Sequence, residues 1–321
     1  MLPILLVTFP FFALVLCGYV AARARMLPLE AIAGLNGFVL FFALPCMLYR
    51  FGASTPIAQL LDGAAMAVYL LCALAMVALA IRFSRNERIG WNDASFGALV
   101  AAFPNTGFMG VPLLVALLGA QAAGPAIVTI LIDLVITTSL CIALSRLDGA
   151  DEHGASKAAK NALKGVATNP MPWAILLGGL ASALQFELPR PVMQTLGLLA
   201  DAASPVALFT IGAVLARSQI VAAREAHGPM PPRDYVPVVL AKLLLHPVLV
   251  WGAGTAAIAL GLPLDRFTLT VMVLVAALPS ASNVSLLAER FGADTGRIAR
   301  IILLTTAAAF LTFSGAVALL H

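Results

Sequence analysis

The chain has 321 residues, of which 61% are hydrophobic and 11% charged, whereas soluble domains carry about 25% charged and about 45–50% apolar residues. That much apolar surface exceeds what a water-exposed fold can hide, which excludes an ordinary soluble domain and makes lipid the solvent for much of the chain. The formal charge of +4 does not point to nucleic acid, because the basic residues sit in short loops between apolar runs rather than on one face.

Ten apolar runs of spanning length are predicted, at 3–21, 31–49, 64–82, 95–118, 122–145, 172–187, 193–216, 235–261, 267–289 and 297–319. The first lacks a basic leader, and Arg23 and Arg25 follow it. It is therefore expected to stay as a helix with its N-terminus outside the cytoplasm rather than to be a cleaved signal. The second carries Ala43-Leu44-Pro45, the aromatic pair Phe41 and Phe42, and Asn36 between Gly34 and Gly37, a close-packing stretch with Asn36 as a secondary site candidate. The fourth holds two prolines and two glycines within nine residues, Pro104 to Pro112, and the fifth holds Asp133. The loop 146–171, with Lys157, Lys160 and Lys164, joins two halves, 1–145 and 172–321. The seventh run contains Asp201 and Ala203-Ser204-Pro205, the eighth Lys242 and His246, and the ninth Ala277-Leu278-Pro279. Trp91 and Trp173 fall at helix starts, as interfacial anchors do.

Fifteen of the nineteen Lys and Arg residues fall in or beside loops after odd-numbered runs, and three after even-numbered runs. This bias places the odd loops in the cytoplasm and both termini on the opposite side. Five helices per half make the halves insert upside down relative to one another. Both halves carry Ala-x-Pro at their second and fourth helices, and such inverted repeats are an architecture of secondary transporters.

Proline removes a backbone donor and clashes with the preceding turn, so the fourth run cannot keep a continuous ladder. Freed backbone groups at bilayer depth are tolerated only inside protein or along a polar cavity. Asn105 and Thr106 add side-chain donors at that break. The ninth run repeats the arrangement with Pro279-Ser280-Ala281-Ser282-Asn283. A single proline reads as a kink, but the matched pair reads as a substrate site where half-helix N-termini face an anion. Asp133 reads either as a coupling or substrate-site group or as a structural acid bonded to nearby backbone or hydroxyls. Asp201 reads as a cation ligand or a local pair. Lys242 and His246 share one helix face, as an anion-attracting pair or, preferred, with Lys242 snorkelling to the interface. Cys17, Cys46, Cys72 and Cys141 lie in apolar runs without metal-ligand spacing and read as packing residues.

The stretches PNTGFMGVPLL, ALPSASNVSLLAERFGAD and LFFALPCML resemble the auxin efflux carrier family, which includes plant PIN carriers and bacterial malonate-type permeases. The resemblance implies an all-α membrane protein of ten transmembrane helices in two inverted five-helix repeats, with helices 4 and 9 broken and crossing at Pro104 and Pro279. It also implies a scaffold of helices 1, 2, 6 and 7, an elevator-type moving domain of the rest, Asn105 on the substrate carboxylate, and a homodimer through the scaffold. Unlike the plant carriers, the chain has no long cytoplasmic loop, and its third run has no acid or lysine. Both departures count against auxin and against a PIN-like ionic support site.

The expected function is transport of a small organic anion, a malonate-like carboxylate, across a bacterial inner membrane. The alternatives are export of auxin-like indole acids and channel-like uniport. Pro104, Asn105, Thr106, Pro279, Ser280, Ser282 and Asn283 are the candidate substrate contacts. Asp133, Asp201, Lys242 and His246 are the candidates for coupling to H+ or Na+. No P-loop, H-E-x-x-H or G-x-S-x-G occurs, and His153, His227, His246 and His321 are scattered. Neither a catalytic group, a cofactor, a metal nor a nucleic-acid partner is expected.

Overall fold

The computed structural model describes residues 2–147, 167–224 and 230–320. Lys157, Lys160, Lys164, His153, His227 and His321, with most of the connecting loop, lie outside the described residues. In chain order the helices are α1 Leu2–Arg23, α2 Ala31–Ser54, α3 Gly63–Ser84, α4 Trp91–Ala102, α5 Thr106–Leu118 and α6 Ala120–Leu144. They continue with α7 Pro170–Ala183, α8 Arg190–Arg224, α9 Val236–Ala259, α10 Arg266–Ala277, α11 Val284–Phe291 and α12 Thr295–Leu320. The protein is an all-α membrane protein in which, among the described residues, seven helices, α1, α2, α3, α6, α8, α9 and α12, are long and apolar enough to cross a bilayer. The other three predicted runs take a different form. The sixth is the 14-residue α7, about 21 Å at 1.5 Å per residue. The fourth and ninth are each split in two, at Phe103–Asn105 and Leu278–Asn283.

Local chemistry sets the boundaries. Asp62 accepts a hydrogen bond from Ala65 N (2.9 Å) to open α3, and Asp265 does the same for Thr268 N (2.8 Å) at α10, the usual role of an acid at a helix N-cap. Among the described residues four helices contain a wider π turn: Val39–Ala43, Thr106–Gly110, Asp133–Thr137 and Ala241–Leu245. Three of these end two residues before a proline (Pro45, Pro112 and Pro247). A proline supplies no N–H to the carbonyl one turn back, and the backbone relaxes by opening to an i→i+5 pattern. The fourth has no proline. There the Thr138 hydroxyl donates to Asp133 O (2.7 Å) and competes with the ladder.

α1 packs along α8, and α2 against α7. Both contacts rest on glycine. A Cβ on Gly18 would lie 1.8 Å from Phe209 O, and one on Gly212 1.8 Å from Val15 O. In the second pair a Cβ on Gly178 would lie 2.5 Å from Tyr49 O. Backbones this close gain dispersion contact that larger side chains would prevent. Away from these seams Phe41, Phe42, Trp173, Leu176, Leu177 and Leu180 are exposed, as lipid-facing residues are, while Phe51 is half-buried.

Arg297, at the start of α12, is 1% exposed. Its guanidinium donates to Asp234 O (2.7 Å), Asp93 O (2.7 Å) and Ser84 Oγ (3.1 Å). One buried cation thus ties the end of α3 to the starts of α4, α9 and α12, using the planar fork that lysine lacks.

Candidate functional site

Where the fourth and ninth runs break, they meet. Pro104 and Ser280 form an isolated antiparallel bridge. Asn105 N donates to Pro279 O (2.8 Å), and Ala281 N donates to Phe103 O (3.0 Å). Each break therefore supplies the donor that the other break's carbonyl needs, which answers the cost of non-helical backbone at this depth.

The carbonyls at the ends of α4 and α10 are satisfied from outside their own helices. Ser280 Oγ donates to Val100 O at 2.6 Å, and Lys242 Nζ donates to Ala276 O at 2.9 Å. Lys242 is fully buried and also lies 3.0 Å from His246 Nδ1. The snorkelling preferred for Lys242 is overturned. Its ammonium turns inward to the negative end of α10, where a cation both fills an orphan carbonyl and opposes the helix dipole.

Three candidate substrate contacts keep buried polar atoms with no hydrogen-bond partner among the described residues, Asn105 Oδ1, Thr106 Oγ1 and Asn283 Oδ1, and so does the coupling candidate His246 at Nε2. Asn105 is 3% exposed and Thr106 fully buried. The three substrate contacts stand where α5 and α11 begin, with the partial positive ends of two half-helices. Ser280 instead bonds backbone, as above, and its N–H reaches Thr305 Oγ1 (3.3 Å) on α12. Ser282 lines a small chamber with Asn36, Phe108, Thr210, Ile211 and Ser285. This chamber shares Asn36, Val214, Ser285 and Leu286 with a wider cleft that reaches Arg217 and Glu289. The cleft runs between α2 and α8 on one side and α5, α11 and the start of α12 on the other.

Asp133 is fully buried, and both its oxygens accept hydroxyls: Oδ2 from Tyr69 (2.9 Å) on α3, and Oδ1 from Thr137 (3.1 Å). The Tyr69 ring lies 6.1 Å from the His246 ring, so the predicted Asp133 and the Lys242–His246 pair share one buried polar cluster through Tyr69. Among the described residues the only ion pairs are Arg50–Asp201 and Arg233–Asp234, so Asp133 and Lys242 do not touch directly. Asp201 is apart from this cluster. Its carboxylate is exposed and pairs with Arg50 at 2.7 Å, which gives the local pair among its two readings.

Sequence reasoning missed Tyr69 and Arg217. Tyr69 carried a signal, because a phenol inside an apolar run needs a partner for its hydroxyl. Arg217 carried none beyond its contribution to loop charge.

The helices and the polar seam they enclose are those of a multi-pass membrane protein that moves a solute. The chain belongs to the membrane transport protein family, matched over residues 3–317, and the resemblance to auxin efflux carriers holds along its length. It is 29% identical to the "Putative malonate transporter" of Rhizobium meliloti (strain 1021), over 95% of this chain and 92% of that protein. It is 26% identical to the "Uncharacterized transporter YfdV" of Escherichia coli (strain K12), over 89% and 88% of the two chains. To the "Auxin efflux carrier component 8" of Arabidopsis thaliana it is 23% identical, over 85% of each.

Proposed function

We propose that this transporter is a secondary carrier of a small carboxylate, with malonate the first candidate, and that the anion binds at the crossing of the two breaks. The observation that carries the reading is the set of unpartnered buried polar groups, Asn105, Thr106 and Asn283, beside two helix N-termini, with the neighbouring Ser282 lining a chamber. An amide can present its NH2 and a threonine its hydroxyl, and an anion needs donors of this kind. The resemblance to a protein named for malonate supports the substrate class.

The chain is read as ten crossings in two inverted repeats, 1–145 and 172–321, joined by a cytoplasmic loop 146–171, with both termini periplasmic in a bacterial inner membrane. The helix pairs α1–α8 and α2–α7 support this reading. In an inverted arrangement the first and sixth crossings are equivalent, as are the second and seventh, so the two glycine seams become copies of one contact. The four helices of those seams form the scaffold, and the remainder carries the anion in an elevator-type movement.

The test is uptake of labelled malonate into proteoliposomes, comparing the native protein with Asn105→Ala. Saturable, counterflow-competent uptake is expected. The variant should lose about 1.5–3 kcal/mol of binding, roughly ten- to a hundredfold in affinity. Unchanged affinity in the variant would move the site away from the crossing, and flux without counterflow would favour a channel-like uniporter.

A further inference from the structure

The cleft that leads to the chamber changes character along its length. Its inner part offers only neutral polar groups, Asn36, Thr210, Ser282 and Ser285. Its outer part adds one cation and one acid, Arg217 on α8 and Glu289 on α11. Both line the same space, yet among the described residues they form no ion pair with one another or with any other group. Half-buried charges usually find partners, and Arg217 is half-buried in the cleft wall while Glu289 is exposed.

Its placement follows from the helix. Thr210, Val214, Arg217 and Val221 lie on one face of α8 at intervals of three and four, and all of them line the chamber or the cleft. Helical side chains lean toward the N-terminus of their own helix. That lean brings the turn holding Val214, the residue at which cleft and chamber join, within reach of the Arg217 side chain. Ser282, at the crossing, lines the chamber that adjoins the cleft in which Arg217 is the cation.

We propose that Arg217 is the specificity-determining residue for a substrate with two anionic ends: one carboxylate sits at the neutral donors of the crossing, and the second takes the bidentate guanidinium of Arg217. Glu289, on the facing helix, lines the same cleft and opposes that second carboxylate. A monocarboxylate uses only the inner end and gains nothing from Arg217. The assignment rests on the carboxylate reading given above.

The experiment compares malonate with propionate, a monocarboxylate of the same carbon count, as competitors of labelled malonate uptake in proteoliposomes. The native protein, Arg217→Gln, Arg217→Lys, Glu289→Gln and Asn105→Ala are measured side by side. Arg217→Gln should weaken malonate about tenfold or more while leaving propionate unchanged, because a charge-assisted pair is lost to one ligand only. Arg217→Lys should recover part of the loss, and Glu289→Gln should tighten malonate. An equal fall for both ligands, or a malonate-to-propionate ratio unchanged in every Arg217 and Glu289 variant, overturns the role of Arg217. If Asn105→Ala still loses uptake in that case, the carboxylate reading stands without it. If neither acid competes in the native protein, both readings fall.

Discussion

At the scale of single residues, the buried polar cluster shows how a membrane interior accommodates ionisable groups. Asp133 has each oxygen bonded to a hydroxyl, and Lys242 has a helix-end carbonyl and a histidine. Tyr69, Thr137, Lys242 and His246, with the buried thiols Cys72 and Cys141 on α3 and α6, are the polar and titratable groups around the acid. An acid in this setting is a natural place for proton or cation coupling. Asp133→Asn is expected to keep malonate binding but lose the response of uptake to an imposed proton or sodium gradient. Flux measured with and without each gradient decides it, and an unaltered gradient response would leave Asp133 as a structural acid. Asp133, Lys242 and His246 were visible in the sequence as ionisable residues within apolar runs. Which way Lys242 points was not, because a helix two turns from an interface allows both directions and only the neighbouring α10 end decides between them.

At the scale of helices, the prolines were the legible signal and the glycines the silent one. The two breaks followed from clustered proline with polar neighbours, and the structure places both where expected. The hydropathy of the fourth and ninth runs hid the length of the interruption, since Phe103, Leu278 and Ala281 are apolar yet extended or turn-forming. Gly18 and Gly212 gave no cue, because a lone glycine in a spanning helix carries no partner's address. Their seam nonetheless has little tolerance. Gly212→Leu would put a side chain where a carbonyl oxygen already lies, so α1 and α8 must separate. Such overpacking costs about 1–3 kcal/mol or more. The expected result is a lower melting temperature in detergent and poorer recovery of monodisperse protein, whereas the same change at Gly197, with nothing within 4 Å of its Cβ, should be neutral.

At the scale of the whole molecule, the cleft divides the helices into two groups that an elevator movement would shift past each other. Val214 on α8 and Leu286 on α11 border both the chamber and the cleft from opposite sides. Cysteines at those two positions, in a background without the four native thiols, should cross-link and stop transport, and a reducing agent should restore it. If the cross-link forms and transport continues, the two groups do not need to move apart here. The family and the all-helical character could be read from motif order and composition. The packing of the groups could not, because in lipid the inward and outward faces of a helix are equally apolar and periodicity no longer separates them.

The crossing is tied together by main-chain atoms: Asn105 N to Pro279 O and Ala281 N to Phe103 O. Peptide groups are the same whatever side chains hang from them, so this knot survives replacement of the residues that look into the chamber. A lineage built on it can exchange its cargo by ordinary point mutation, one facing side chain at a time, without ever passing through a broken machine.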